Sequence, residues 1–408
     1  LPFPLVGTLA IAGLPVWRAA ICLLALAAIA YYVVAVIATI RFFRRERRKQ
    51  LGAYTPPISV LKPVRGVDFA SYENFRSFCL QNYPEYEILF CVNDLQDDAV
   101  PLIRRLVDEF PQRQLKLLSG APQLGSNRKV NNLALLVREA KYDLLVQSDG
   151  DVRVEPNYLR EMAAPFERAD AGVVSCLYRG VTQNSIWAEI EALGAATDFS
   201  ASVLVADWSG YVSFALGASV ATTRTRLAKV GGYEALANAL ADDYEIGNRI
   251  ANAGGRVMVS REVVETMYAA MTFREFWQHQ LRWARTVRLC RPASYLGLLV
   301  THGLFWALVG ALGSGSAGAP FFFVGYLMLR LAQAWTIGVW GMKDETVRKR
   351  WWLVPLRDAL HFAVWVASFL SNRIVWGGTE FQLKPNGDMV PTGATEAEKR
   401  EPGKVHAS

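Results

Sequence analysis

Residues 17–40 read WRAAICLLALAAIAYYVVAVIATI, an apolar stretch whose only charge is Arg18. No other feature constrains the chain as tightly. A hydrocarbon core about 30 Å thick is crossed by about 20 helical residues, so this stretch is long enough to span it. A cleaved leader carries its positive charges ahead of the apolar run. Here RFFRRERRK, with six Lys or Arg between Arg41 and Lys49, comes after it. Basic residues stay on the cytoplasmic side of a bilayer. The expected orientation therefore puts the N-terminus outside and begins everything after Arg41 in the cytoplasm, at the inner membrane.

That basic run also explains most of the formal charge of +7 without nucleic acid, since no stacking aromatics are interleaved with it on a soluble stretch. The apolar content of 52% is concentrated at the two ends, and the middle reads as a soluble domain. Five cysteines are scattered with no CxxC pair, which suits free thiols in a reducing compartment. Four histidines speak against a His-rich zinc site.

From Pro56 to about Arg261, short apolar runs alternate with helical periodicity. The runs 58–64, 87–94, 114–119, 142–149 and 171–178 read as buried strands, and 99–110 and 130–140 as helices between them. Such alternation predicts a mostly parallel, Rossmann-like α/β sheet, with ligands beyond the carboxyl ends of its strands. After Thr272 the pattern changes. Phe273, Phe276, Trp277, Leu281, Ala284 and Val287 recur at helical spacing beside four arginines, as in a helix lying in the membrane interface. Apolar segments near 295–313, 319–341 and 351–370 follow. With the first they give four spans and both termini outside; Arg357, Asp358 and His361 interrupt the last, which leaves a re-entrant or interfacial helix open there. The expected division is 1–50 first span and basic segment, 51–271 cytosolic domain, 272–293 interfacial helix, 294–372 further spans, and 373–408 tail. The tail is expected to be disordered after about Asn386.

Three acidic sites stand out in the soluble part: Asn93-Asp94 closing one strand, Asp149-Gly150-Asp151 closing another, and Asp242-Asp243 opening a helix after Gly231-Gly232. Singly, each suits a turn or a cap. Together they match the needs of a nucleotide sugar, whose diphosphate gains negative charge as the glycosidic bond breaks. Carboxylates at a strand end can hold Mg²⁺ or Mn²⁺ against both phosphates. A separate carboxylate must take the proton of the acceptor hydroxyl, and a third must grip the nucleoside. His279-Gln280-Leu281-Arg282-Trp283 adds an Arg-Trp pair at the membrane surface, where Arg can steady pyrophosphate and Trp can stack on an acceptor.

In SVLKPVRGVD (59–68), NYPEYEILFCVND (82–94), GSNRKVNNL (125–133), SDGDVRV (148–154), GGYEALANALADDY (231–244) and Arg282-Trp283, the chain resembles the ceramide glucosyltransferases, glycosyltransferase family 21. The likeness runs from about Pro56 to Arg288 and implies a GT-A fold. It implies that Asp94 binds the nucleoside, that Asp149 belongs to the metal and diphosphate site with Asp151 completing a D-x-D, and that Asp243 is the general base. Arg282 and Trp283 match the end of a Q/R-x-x-R-W motif, whose first position is here His279. HQLRWARTVR and SCLYRG are similar to the bacterial hopanoid-biosynthesis branch. The expected function is transfer of a hexose, glucose or N-acetylglucosamine, from a UDP-sugar to a hydroxyl of a membrane lipid, ceramide-like or a hopanoid polyol. A processive polysaccharide synthase shares this layout but usually carries more spans. A non-catalytic transporter or scaffold would place its charges within the apolar spans.

Overall fold

The computed structural model describes residues 16–44, 54–314, 317–385 and 387–392. Most of the basic run after the first span, part of the Gly/Ser loop at 314–318 and the segment 393–408 lie outside them. The soluble domain is built on β1 (Ile58–Pro63), β2 (Tyr86–Cys91), β3 (Gln114–Leu118), β4 (Leu144–Ser148), β5 (Val152–Arg153), β6 (Ala171–Thr182), β7 (Ser219–Thr223) and β8 (Arg256–Tyr268). These form one eight-stranded sheet in the order β3-β2-β1-β4-β7-β6-β8-β5.

The four strands from β3 to β4 are parallel, in the register Val60↔Ile88 and Val60↔Val146. Side chains alternate across a strand, so Val60, Ile88 and Val146 enter one core while Leu61, Leu89 and Leu145 enter another. The first core is covered by helices Ser71–Cys79 and Ala99–Glu109, the second by Arg128–Glu139. Burial on both faces is why β1 and β4 read as mostly apolar runs without alternation. Chain order reverses between β1 and β4, and the crevice beyond their carboxyl ends is the switch point of such a sheet.

The strands β5, β7 and β8 go beyond the sequence reading. β7 is antiparallel to both β4 and β6, and β8 runs parallel to β6 through an irregularity between Cys176 and Leu177. Charged residues such as Arg261, Glu262 and Glu265 interrupt β8, and its partly buried positions follow no clean alternation. Its strand signal is correspondingly weak.

Two described helices are long and apolar enough to cross a membrane, Trp17–Arg44 and Ala319–Gly341. Pro292–Thr301 and Gly303–Gly313 form a pair bent by 50°, a third crossing if taken together. The fourth expected span is shorter than its hydropathy suggested. Val354–Ser368 has 15 residues, about 22 Å of helix, and Arg357 within it is buried against the protein. The tail is also more ordered than expected through Thr392. Strands β9 (Arg373–Trp376), β10 (Thr379–Leu383) and β11 (Met389–Pro391) form an antiparallel sheet. Met389 N donates to Asn238 O at 2.9 Å and Leu240 N to Gly387 O at 3.3 Å, which ties the sheet to the loop before the helix Asp242–Asn252.

Candidate active site

Strand β4 ends at the fully buried Ser148, and Asp149 and Asp151 emerge half-buried at the switch point. The backbone fixes both: Asp149 N donates to Ala218 O at 3.2 Å, and Asp151 O accepts from Met267 N at 3.0 Å. Burial and then the charge of Asp149 push the Asp151 carboxyl up to about 7, against the pull of Lys62. Lys62 is wholly buried in β1, with its ammonium 2.5 Å from Asp149 O and 4.1 Å from the centre of the Phe78 ring. Its burial lowers it to about 7, with Asp151 and Asp149 opposing.

Lys129 comes from the first turn of Arg128–Glu139, a helix capped by Asn127 accepting from Val130 N. Its ammonium lies 2.6 Å from Asp149 Oδ1 and 3.6 Å from Asp242 Oδ2. Burial alone would lower it, but Asp149 and Asp242 outweigh burial and hold it above the usual lysine range.

Asp242 and Asp243 occupy the first turn of the helix Asp242–Asn252, where the helix dipole favours negative charge. Ala241 is the cap residue, so Asp242 is not the N-cap; its carboxylate is buried toward Lys129. Asp242 and Asp243 both line the same cavity, although consecutive helix residues diverge by about 100°. Burial and then the charge of Asp242 push Asp243 up to about 6.

The helix Phe273–Cys290 begins with a capping box, Glu275 N donating to Thr272 Oγ1 and Thr272 N to Glu275 Oε2. It buries Phe276 completely. Arg282 is pushed down to about 10 by burial, with Glu191 and Asp243 opposing, and stays charged beside both. Trp283 Nε1 donates to His279 Nε2 at 3.1 Å. An indole can only donate, so the His279 proton sits on Nδ1, hydrogen-bonded to the buried Glu191 carboxylate. His279 thus fixes the orientation of Trp283.

Asp149, Asp151, Asp242, Asp243, Arg282 and Trp283 line one cavity of about 1080 Å³ that continues down between the membrane helices. Asp94 is exposed on the same sheet edge, beyond β2, and accepts from Gln96 N at 2.9 Å; it is not among the cavity's lining residues. Lys62, Lys129 and Glu191 had been given no role from sequence. A lysine inside the apolar run ISVLKPV was the one available signal for Lys62.

The family profile described as "Glycosyl transferase family 21" matches residues 20–389. The chain belongs to glycosyl transferase family 21. This family 21 chain is 28% identical over 257 residues to "Ceramide glucosyltransferase 1" of Caenorhabditis elegans, a match covering 62% of this chain and 55% of that protein. It is 32% identical over 115 residues to the ceramide glucosyltransferase of Candida albicans, covering 25% and 21%. The chain thus spans about half the length of the first of these relatives and less of the second. Among solved structures, the mannosyltransferase PcManGT from Pyrobaculum calidifontis, in complex with GDP-Man and Mn²⁺, superimposes with a TM-score of 0.54 at 17% identity, covering 86% of this chain and 98% of that one. The shared fold is GT-A.

Among the described residues no group of three or more His, Cys, Asp or Glu is placed to hold a metal ion. A hard cation such as Mg²⁺ needs fewer, since it keeps waters and takes one or two carboxylates plus substrate phosphates. Asp149 and Asp151 fit that requirement. Lys129 already sits on Asp149 Oδ1, while Asp151, pushed upward by burial and by Asp149, gains most from a nearby positive charge.

Proposed function

We propose that this glycosyltransferase moves a hexose, glucose or N-acetylglucosamine, from a UDP-sugar to a hydroxyl of a membrane lipid, with inversion at the anomeric carbon. The lipid is ceramide-like or a hopanoid polyol, and the catalytic domain faces the cytoplasm. One observation carries the reading. A single cavity has Asp149, Asp151 and Asp243 in its wall and also Tyr31, Tyr32, Arg330 and Gln333, which belong to the two helices able to cross a membrane. A soluble donor entering at the sheet edge and a lipid entering between the helices would meet there. The resemblance to ceramide glucosyltransferases supports the same pairing.

In this reading Asp94 holds the nucleoside end of the donor, and Asp149 with Asp151 would hold a divalent cation. That cation supplies charge neutralisation at the departing diphosphate when bound. Arg282 gives a fixed positive charge in the same cavity, and Lys129 bridges Asp149 and Asp242 and holds both carboxylates in place. Asp243, raised toward neutral pH, is matched to take the acceptor proton. The acceptor oxygen then bonds to the anomeric carbon as the bond to the diphosphate oxygen breaks, and UDP leaves with that electron pair. Trp283, held by His279, offers an apolar face to the acceptor. The test is to incubate the purified chain in lipid with labelled UDP-glucose, UDP-N-acetylglucosamine and GDP-mannose, and to analyse the lipid extract by mass spectrometry. A lipid-linked hexose from a UDP donor is expected; labelled polymer, or label from GDP-mannose only, would contradict the reading.

A further inference from the structure

Among the apolar side chains that line the cavity between the helices stand charged and titratable ones, Asp198, Arg330, Arg357, Asp358 and His361. Asp198, in the π-helical segment Ala195–Phe199, lies 2.5 Å from Arg330 Nη2, and Asp358 lies 2.7 Å from the same nitrogen. Arg357 approaches Asp198 Oδ2 at 3.8 Å and His361 approaches it at 3.9 Å. Arg357 also donates to Gln280 Oε1 at 3.2 Å, on the helix that carries Arg282 and Trp283. His302, at the bend between Pro292–Thr301 and Gly303–Gly313, meets the His361 ring edge-on at 4.9 Å between centroids.

A purely structural ion network would satisfy its own members. Here Asp198 Oδ2, Arg357 Nε and Nη1, and His302 Nε2 are all buried without a hydrogen-bond partner. Arg357 and His302 are only 5% and 6% exposed, and both line the cavity. A buried polar atom without a partner is unfavourable, more so when charged, and a chain retains several together where something else completes them. The fold also makes room for them. A Cβ on Gly194 would fall 2.2 Å from Arg357 Nε, so glycine there lets the guanidinium lie against the helix.

Sign and spacing limit what fits. Arg330 and Arg357 balance Asp198 and Asp358, which leaves no surplus charge for a phosphate or carboxylate. Arg357 offers donors and Asp198 an acceptor, a combination that suits a neutral group with both a hydroxyl or N–H and an oxygen acceptor. Glu191, which holds His279 beside Arg282, and Asp198 lie seven residues apart on the same helical stretch from Ile186 to Phe199, which joins this cluster to the helix of the Arg-Trp pair.

We propose that Asp198, Arg357 and His302 form a second acceptor subsite, which takes a neutral hydroxyl- or amide-bearing group of the acceptor apart from its reacting hydroxyl. The subsite rests on the lipid-acceptor reading above. It makes acceptor polarity, not only tail length, a criterion of selection.

The test uses the full chain in lipid nanodiscs with a donor it turns over, and two acceptors of equal tail length, a long-chain amide diol and a long-chain primary alcohol. Wild type should prefer the amide diol at least tenfold in kcat/KM. Arg357→Gln and His302→Phe should each raise KM for the amide diol at least tenfold, move kcat less than threefold, and collapse the preference toward one. His302→Phe keeps an aromatic ring at the bend, so it remains informative if Arg357→Gln does not fold. Equal use of both acceptors by wild type, or variants that lose kcat on both alike, would overturn the subsite. No transfer from any nucleotide sugar to either lipid would instead overturn the lipid-acceptor reading, and the subsite with it.

Discussion

Gly217 and Asp243 meet so closely that a Cβ on the glycine would lie 2.7 Å from Asp243 Oδ2. The loop before β7 therefore holds the carboxylate in place by having no side chain. In Gly217→Ala the carboxylate has to swing away, and a misplacement of about 1 Å can cost about 10²-fold in rate. We expect kcat to fall roughly ten- to a hundredfold while the melting temperature and donor affinity stay near wild type. Steady-state kinetics with a titration of donor binding would check this; an unchanged kcat would mean that Asp243 does not act from this position.

The raised Asp243 carboxyl sets a pH dependence. A general base works when ionised, so activity is present above its pKa and is lost as pH falls through about 6. The groups that set its charge are Asp242, Asp149 and Lys129, and Arg282 lies near it. Removing the neighbouring negative charge in Asp242→Asn should move the acid limb to lower pH, since that charge helps raise Asp243. The profile of kcat/KM, taken at saturating divalent cation so that Asp151 stays ionised, reads the shift; a limb that moves upward would contradict it.

Excess EDTA should abolish transfer, and Mg²⁺ or Mn²⁺ should restore it. Asp149→Ala and Asp151→Ala should each lower transfer by about two orders of magnitude or more, because neutralising a departing diphosphate is worth several kcal/mol. Full activity in EDTA would remove the cation from the mechanism.

The C-terminal sheet suggests a different kind of test. Ending the chain after Leu383 removes the bonds from Met389 N to Asn238 O and from Leu240 N to Gly387 O. Hydrogen exchange should then quicken at Asn238–Leu240 and in the first turn of Asp242–Asn252, with a loss of transfer. Unchanged exchange there would show that the sheet does not support the loop.

Much of this arrangement could be read from the residues. Asp149 and Asp151 close an apolar run and Asp243 follows a Gly-Gly turn, local patterns that periodicity and turn chemistry expose. Lys62 could not be read as a site residue, because its role depends on β1 lying beside β4, a long-range pairing. Strand β8 was hidden because its burial comes from β6 and not from an alternating pattern of its own. Whether the Val354–Ser368 segment spans could not be read from hydropathy, which registers Arg357 and Asp358 as interruptions and cannot see their buried partners Asp198 and Arg330. His279 stood out only as a departure from a motif; its bonds to Glu191 and Trp283 give the departure its structural sense.

Asp243→Asn separates base catalysis from donor binding. The substitution keeps the shape of the side chain and removes its ability to take a proton, a loss of about 10²–10⁴-fold for general-base catalysis. Transfer from a UDP-sugar to lipid should fall by that factor, while UDP-sugar affinity, measured by titration in detergent, stays within a few-fold of wild type. Retained transfer, or a loss of donor affinity as large as the loss of rate, would contradict the role of Asp243 as the base.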